Sequence, residues 1–504
     1  MSTTPSVDLI LGPIIGKVTD TTARVLAEFS NQGTITCRLT SQDGEKIDAK
    51  LEVPAKRPIA FKFQGLKPKT KYTVTFEPDV KQQHPSSFTT LRNDTDSPGN
   101  LKVAIISCNE MSVKEKKNKE SDLWGHLLKK IENSEIDYLL HIGDAVYMDT
   151  GNGKDNEPWQ FCKKTLEETP KNEWNSKKEK LLEILREEYR KTWTQCDTAK
   201  CLALCPSVSI LDDHEIRDDW GWREEDRNSE TDKPDYFYGT LARQVYWEYQ
   251  RQLREDVDFK DEAKMNPEYH LHIFNGVGIM FIDYRGCRSW FYDKDDLEKT
   301  QLGKRQMAWI KEAFSPKGAF ANVKAVLFVS PLPIFVFSNT VTKMAAIKVD
   351  DAKEQWAFGH QEEMAEMLDA LRDWKEAKPG REVTLIGGDI HIGGHTDVFY
   401  KGKRAFKQFT SSAINNVIPT KFQFLTVRFM QECSQPLSNG YAFDHHDWTK
   451  ENNYGIVTVS TDSSDQVTVG CKLVAGSYKG TPKELKEFDN HHWSKNKSGC
   501  CNIF

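Results

Sequence analysis

Cysteine pairing signals are missing from this chain. Its eleven cysteines are scattered, with no CxxC pair, so neither a disulfide nor a zinc framework is read from them, and a reducing compartment fits better. A basic leader is missing too: MSTTPSVDLILGPIIG has no Lys or Arg before its short apolar run, which is not the form of a secretory signal. No uninterrupted apolar run approaches the roughly 20 residues that a membrane span needs. Internal repeats and low-complexity tracts are absent, and a net charge of −6 gives no general reason to expect nucleic acid. These absences lead to the expectation of a cytoplasmic, non-secreted protein, unless something attaches it to a membrane. What is present is material for a large core. The 504 residues are 38% hydrophobic and 11% aromatic and include 13 Trp, which argues for two or three folded units and against disorder.

The first hundred residues read as β structure. Short alternating runs (Thr22 to Phe29, Thr34 to Thr40, Ile59 to Phe63, Lys71 to Phe76) are separated by turn-forming Gly, Asn, Asp and Pro, the pattern of a β-sandwich. Within it, Leu66, Pro68, Thr70 and Tyr72 match the Leu-x-Pro-x-Thr-x-Tyr segment with which fibronectin type III domains pin a corner, so residues 1–90 resemble such a domain. As a module this unit either docks something or is a structural appendage; fold alone favours neither function. The polar, turn-rich LRNDTDSPGN, Leu91 to Asn100, is the expected linker.

After the linker, strands alternate with helices. Strands are expected at Lys102 to Cys108, Tyr138 to Asp144, Ser207 to Leu211, Gly278 to Tyr284, Val323 to Val329 and Val383 to Gly387. Helices are expected at Asp122 to Ile131, capped by Ser121, and around Tyr238 to Leu253, Gln301 to Phe314 and Gln355 to Lys375. In the charged stretch from Pro158 to Cys196, Leu181, Leu182, Leu185, Tyr189 and Trp193 recur at helical intervals, the charges forming a solvated face. The alternation predicts a layered α/β fold.

Chemistry collects where these strands stop. The first ends in Ser107-Cys108-Asn109, the second in Gly143-Asp144-Ala145-Val146-Tyr147, the third in Asp212-Asp213-His214-Glu215, and a later one in Gly387-Gly388-Asp389-Ile390-His391. Strand ends are where an α/β sheet keeps its chemistry. A carboxylate such as Asp144 can bridge two hard cations, and a phenolate three residues on suits Fe(III). Taken alone, Asp after Gly at a strand end is as well read as a turn or a helix cap; four such ends make a constellation.

With SC, GDxxY, DDHE and GDxH in this order, the chain resembles the PhoD-like (alkaline phosphatase D) metallophosphatases, and the resemblance covers most of its length. It implies a calcineurin-like four-layer αββα sandwich over residues 101–480, behind the fibronectin-like unit. It implies a phosphoester hydrolase, acting on a phosphomonoester or phosphodiester with a metal-bound hydroxide at a two- or three-metal site. The metal ligands carried over are Cys108, Asp144, Tyr147, Asp213, Asp389 and His391, holding Fe(III) and a second divalent cation, Ca2+, Zn2+ or Mg2+; His214 carries over as the catalytic histidine. Each has a plainer reading: Cys108 as a buried thiol, one of Asp212 and Asp213 as a supporting group, His395 as a competitor of His391. Asp218 and Asp219 stand where the family often has a further acid or amide. Arg285 and Arg288 resemble the family's D-x-R-x-x-R and would grip phosphate oxygens, or else pair with a nearby carboxylate. Ser330-Pro331-Leu332-Pro333 matches a loop near the site, and Trp220 and Trp222 either wall the pocket or belong to the core. From another class, the chain would be a catalytically weak membrane-tethered scaffold, against which the acidic and His positions of the motifs are all present.

Residues 481–504 read as a tail. Cys501 stands four from the end, with Ile503 and Phe504 after it, which fits a C-a-a-X prenylation box of geranylgeranyl type; chance is the plain alternative. Cys500 would supply a second, palmitoyl anchor, and Lys495 and Lys497 a modest attraction to anionic lipid.

Overall fold

The computed structural model describes residues 7–494 apart from 79, 94–99, 112–119, 151–156, 228–232, 260–266, 290–299, 348–353, 433–438 and 477–480. Most of the expected linker and the whole cysteine-bearing end, Cys500 and Cys501 included, lie outside these residues.

Seven strands build the N-terminal unit: β1 (Leu9–Val18), β2 (Ala23–Phe29), β3 (Gly33–Ser41), β4 (Lys46–Val53), β5 (Ile59–Phe63), β6 (Lys71–Glu77) and β7 (Ser87–Thr89). They form two antiparallel sheets, ordered β1-β2-β5 and β4-β3-β6-β7. Their inward residues, among them Val25, Phe29, Cys37, Leu39, Phe61 and Phe76, make one core. The expected corner is there: Leu66 and Tyr72 are buried, and the Tyr72 hydroxyl accepts a hydrogen bond from the Lys67 amide at 3.0 Å. β1 carries Pro13, which a sheet interior rejects unless the register slips, and the pairing with β2 does shift between Leu11 and Ile14.

The remaining strands are β8 (Leu101–Ile106), β9 (Tyr138–His141), β10 (Ser207–Ser209), β11 (His270–Phe274), β12 (Val277–Phe281), β13 (Ala325–Val329), β14 (Glu382–Gly387), β15 (Gly393–Tyr400), β16 (Lys403–Thr410), β17 (Tyr441–Thr449), β18 (Asn452–Thr461), β19 (Val467–Gly476), β20 (Lys483–Glu484) and β21 (Phe488–Asp489). They form two mixed seven-stranded sheets. One runs β10-β9-β8-β18-β19-β20, with β21 also on β19; the other runs β11-β12-β13-β14-β16-β15-β17. In the first, β8, β9 and β10 are parallel; in the second, β12, β13, β14 and β16 are.

Side chains alternate across each sheet, and the two faces go to different cores. Val103, Ile105 and Leu140 meet Ile279, Phe281, Leu327 and Ile386 in a core between the sheets. The opposite face of the first sheet (Ala104, Ile106, Leu139) packs on Leu123, Leu127, Leu181, Leu185 and Tyr246 of flanking helices. The opposite face of the second (Met280, Phe328, Leu385) packs on Met307, Ile310, Leu368 and Leu371 of others. The order is helix, sheet, sheet, helix.

Helix Asp122–Glu132 buries Leu123, Trp124, Leu127, Leu128 and Ile131, spaced for one face, and ends near Lys129 and Lys130, as its dipole favours. Ser121 occupies the expected capping position, but its hydroxyl donates to the Ile414 carbonyl at 2.8 Å instead. The charged stretch divides into Pro158–Glu167 and Trp174–Trp193, with the five spaced apolar residues buried.

The N-terminal sandwich is bonded to the rest. Leu11, Ile14, Leu26 and Ala60 share the helix-side core. Buried Glu28 accepts from Arg190 at 2.7 Å and from the Tyr249 hydroxyl at 2.6 Å. The Tyr138 hydroxyl on β9 bonds both the amide and the carbonyl of Val18, and Ser207 on β10 donates to the Ile15 carbonyl.

Candidate active site

The seven parallel strands all point their C-terminal ends at one edge, and the donors read from the sequence arrive there together. Asp144, Asp212, Asp213 and Asp389 bring carboxylate oxygens within 4.8 Å of one another, as do Asp144, Asp213 and His214. On one flank, Asp144 Oδ2 lies 3.2 Å from the Tyr147 hydroxyl and 3.4 Å from Cys108 Sγ. The Tyr147 hydroxyl is also 3.4 Å from His391 Nε2. On the other flank, Asp218 and Asp219 approach Asp213 to within the same 4.8 Å.

Backbone conformation holds these groups. Cys108, Asp144, Asp389 and His391 have φ of 52°, 53°, 61° and 55°, left-handed values that cost an L-residue energy and collect at functional sites. Before Asp144, Gly143 has φ +120°, and a Cβ there would lie 2.6 Å from Asp212 Cβ, so no other residue lets the two loops approach. Glu215, buried behind the cluster, ties them: its carboxylate accepts from the amides of Asp144 (3.1 Å), Ala145 (2.7 Å) and Asp212 (2.9 Å).

The electrostatics describe a site short of positive charge. Burial, then the neighbouring Asp212, pushes the Asp144 carboxyl well above its usual range. Burial likewise raises Asp389 far up and Asp212 to about 6, although Arg285 opposes it. Asp213 is the exception: burial would raise it, but Arg285 and then His214 outweigh that and lower it. Asp212 Oδ2 is buried without a hydrogen-bond partner, whereas Asp213 Oδ1 faces Arg285 Nη2 at 3.2 Å. Buried acceptors are nearly always satisfied, so an oxygen left open among like charges is what a bound cation would engage. The donor set, carboxylates with imidazole and phenol at hand, suits hard and strongly Lewis-acidic ions.

His214 is held by a partner that sequence reasoning did not name. Its Nδ1 lies 2.9 Å from Asp149 Oδ1, and its ring stacks on Tyr147 with centroids 4.2 Å apart. Burial disfavours the imidazolium, but Asp149 first, then Asp213 and Asp144, overcome this and raise its pKa well above the ordinary value. Asp149 was within sight, two residues past Tyr147 in the same strand-end stretch. Asn416, which donates to the Tyr147 hydroxyl at 2.9 Å and lies 3.0 Å from His391 Nε2, and Glu354 carry no such signal.

Several readings change. Arg285 does not face a substrate: it is fully buried, with Nε on Asp212, Nη1 on Glu354 Oε2 at 2.7 Å and Nη2 3.2 Å from Asp213. The ion-pair reading describes it, since the guanidinium is turned to carboxylates of the cluster itself and to Glu354. Arg288 pairs with the same Glu354 and lies 4.2 Å over the Trp222 ring. Trp220 and Trp222 are buried, and neither lines the cleft. His395 sits in β15 against Phe409 and Phe488, where burial drops its pKa to about 3; His391 is the one near Tyr147. The Ser330 to Pro333 loop links the strands, the Pro331 carbonyl accepting from the Gly388 amide at 2.7 Å.

A cleft of about 680 Å³ opens over the cluster. Asp213, His214, Asp218, Asp219, Asp389 and His391 form its polar side, and Val336, Phe337, Phe422, Phe424, Val427 and Met430 its apolar side.

Residues 103–469 match the family model described as PhoD-like phosphatase. No curated protein matches the chain. A solved structure described as "Structure of PhoD" is similar with a TM-score of 0.69 at 13% identity, covering 97% of this chain and 91% of that one, a likeness of fold. The sensor domain of the anti-sigma factor RsgI4 of Pseudobacteroides cellulosolvens is 19% identical over 18% of this chain and 100% of its own, with a TM-score of 0.15, and carries no argument.

Proposed function

The chain belongs to the PhoD-like phosphatase family, whose members are phosphoester hydrolases, and from this we propose that it hydrolyses phosphoesters at a bimetallic or trimetallic centre under the cleft. The observation that carries the reading is the convergence of four acids, three buried and Asp389 half-buried, at one sheet edge, with Asp212 Oδ2 left without a hydrogen-bond partner. Asp144, Asp213 and Asp389 would hold the cations, with Cys108, Tyr147 and His391 completing an Fe(III) position and Ca2+, Zn2+ or Mg2+ beside it. Bound cations would supply an acidified water and neutralise charge on the phosphoryl group. The layer order supports a calcineurin-like sandwich, and the Leu66 to Tyr72 corner a fibronectin type III-like unit at residues 1–90.

His214 lines the cleft, with Nδ1 held by Asp149 and Nε2 3.9 Å from Asp218 Oδ1. We assign it the proton that the departing oxygen needs, with Asp149 fixing its direction and charge. Asp149→Asn is expected to lower kcat about 10- to 100-fold with KM little changed; an unchanged kcat would remove Asp149 from this role.

The reading is tested by assaying phosphomonoesters and phosphodiesters with elemental analysis of the purified protein. A phenolate on ferric iron absorbs visible light, so iron-loaded protein should be coloured and Tyr147→Phe colourless. Colourless, iron-free protein of full activity would take Fe(III) and Tyr147 out of the assignment. We propose further that the C-terminal Cys501, with Cys500, anchors the enzyme at the cytosolic face of a membrane; intact mass after expression in a prenylating cell, against Cys501→Ser, decides it.

A further inference from the structure

Large apolar side chains rarely stand together in solvent without a reason. Among the described residues eight do stand exposed, and six of them gather at the cleft over the acidic cluster: Val417 and Phe422 line it, while Met344, Ile347, Leu425 and Phe429 lie on or just beyond the two helices that border it. The helix Lys421–Glu432 carries three of these at i, i+3 and i+7, with Phe422 80%, Leu425 65% and Phe429 70% exposed. Its other apolar residues, Phe424, Val427 and Met430, line the cleft. The helix thus turns Phe424, Val427 and Met430 to the cleft, holds Phe422 at its rim and leaves Leu425 and Phe429 outside. The helix Asn339–Ala345 borders the cleft through Ala345 and presents Met344, with Ile347 just beyond its end.

Charge says what the outer side meets. Residues 338–347 and 417–431 contain no acid, although the whole chain is net acidic at −6. They carry Lys343, Lys421 and Arg428. Phe and Leu on one face of a helix with Lys and Arg beside them are the composition of a helix that lies in a lipid interface, and the cations favour anionic headgroups. We infer that this apolar rim is a docking surface for an anionic lipid bilayer, seating the mouth of the cleft on the membrane independently of any lipid attached at the C-terminus.

Sedimentation with vesicles tests this without requiring turnover, so it stands or falls apart from the catalytic reading. The full chain bearing Cys500→Ser and Cys501→Ser, which has no C-terminal anchor site, is spun with vesicles of phosphatidylcholine plus phosphatidylserine and with phosphatidylcholine alone. Binding is expected to the mixed vesicles and to weaken with salt. Leu425 and Phe429 lie outside the cleft lining, so Leu425→Ser with Phe429→Ser should lower vesicle affinity on the order of 100-fold while hydrolysis of a soluble ester is unchanged. Met344→Ser with Ile347→Ser gives the same comparison on the other helix, should the first pair fail to fold. Equal binding of the parent and both variants would overturn the proposal. So would absence of vesicle binding by the parent, and if it then sediments as a dimer that the same variants dissociate, the rim is a contact between two copies of this chain.

Discussion

Asp144→Asn is expected to reduce kcat on the order of 10³-fold or more while the protein remains folded. Asp144 is fully buried, its Oδ1 accepts from the His214 amide at 3.3 Å, and its Oδ2 faces Tyr147 and Cys108. It touches two of the proposed ligands and lies within 4.8 Å of Asp213 and Asp389, and burial among these acids makes its charge hard to sustain without a cation. An amide keeps the shape and loses the charge. Cation-free protein should therefore be no less stable, because a repelling carboxylate has gone, whereas the loaded protein should lose bound metal. Melting curves with and without a chelator separate the two: chelation should lower the melting temperature of the parent and barely move that of the variant. A variant with full metal content and full activity would remove Asp144 from the centre.

Arg285→Met is expected to destabilise the fold by about 3–5 kcal/mol. The guanidinium has no exposure and lies among Asp212, Asp213, Glu354 and Asp389. Without it, the carboxylates keep their burial and lose their counter-charge. Burial raises Glu354 to about 8 against the pull of Arg285 and Arg288, and the variant loses the larger of these two pulls. Adding Glu354→Gln should then recover part of the loss, so the double change costs less than the sum of the two single ones. Denaturant unfolding of the single and double variants measures this coupling. Additive effects would show that Arg285 and Glu354 do not stabilise each other.

What could be read from the sequence was the part in which structure and chemistry are adjacent in the chain. β8, β9, β10 and β14 are buried runs followed at once by Cys108, Asp144, Asp213 and Asp389, so locating the strand also located the ligand. Arg285 follows a strand in the same manner, yet the motif does not say whether a guanidinium meets a ligand or a carboxylate; its partners Asp212, Asp213 and Glu354 come from two distant parts of the chain. Asn416 and Glu354 are single polar residues in loops, with no pattern to mark them. β4 was missed because its exposed face alternates Lys, Asp, Lys and Glu, and β1 because Pro13 and Gly16 look like a loop. Gly16 is there because the Leu253 carbonyl would lie 2.3 Å from its Cβ. The helix Lys421–Glu432 was not read from the sequence either.

The grip of β1 on β9 and β10 gives the N-terminal sandwich a mechanical part in the enzyme. Val18 is bonded to Tyr138 and Ile15 to Ser207, and the two strands so held are the ones that run directly into Asp144 and into Asp212, Asp213 and His214. Loosening at the sandwich would therefore be felt as misalignment of the acids before the catalytic sheets themselves came apart. The sandwich works as a buttress, and the temperature at which that buttress yields sets an upper limit on the temperature at which the acids stay in register, however firmly the two large sheets are packed together.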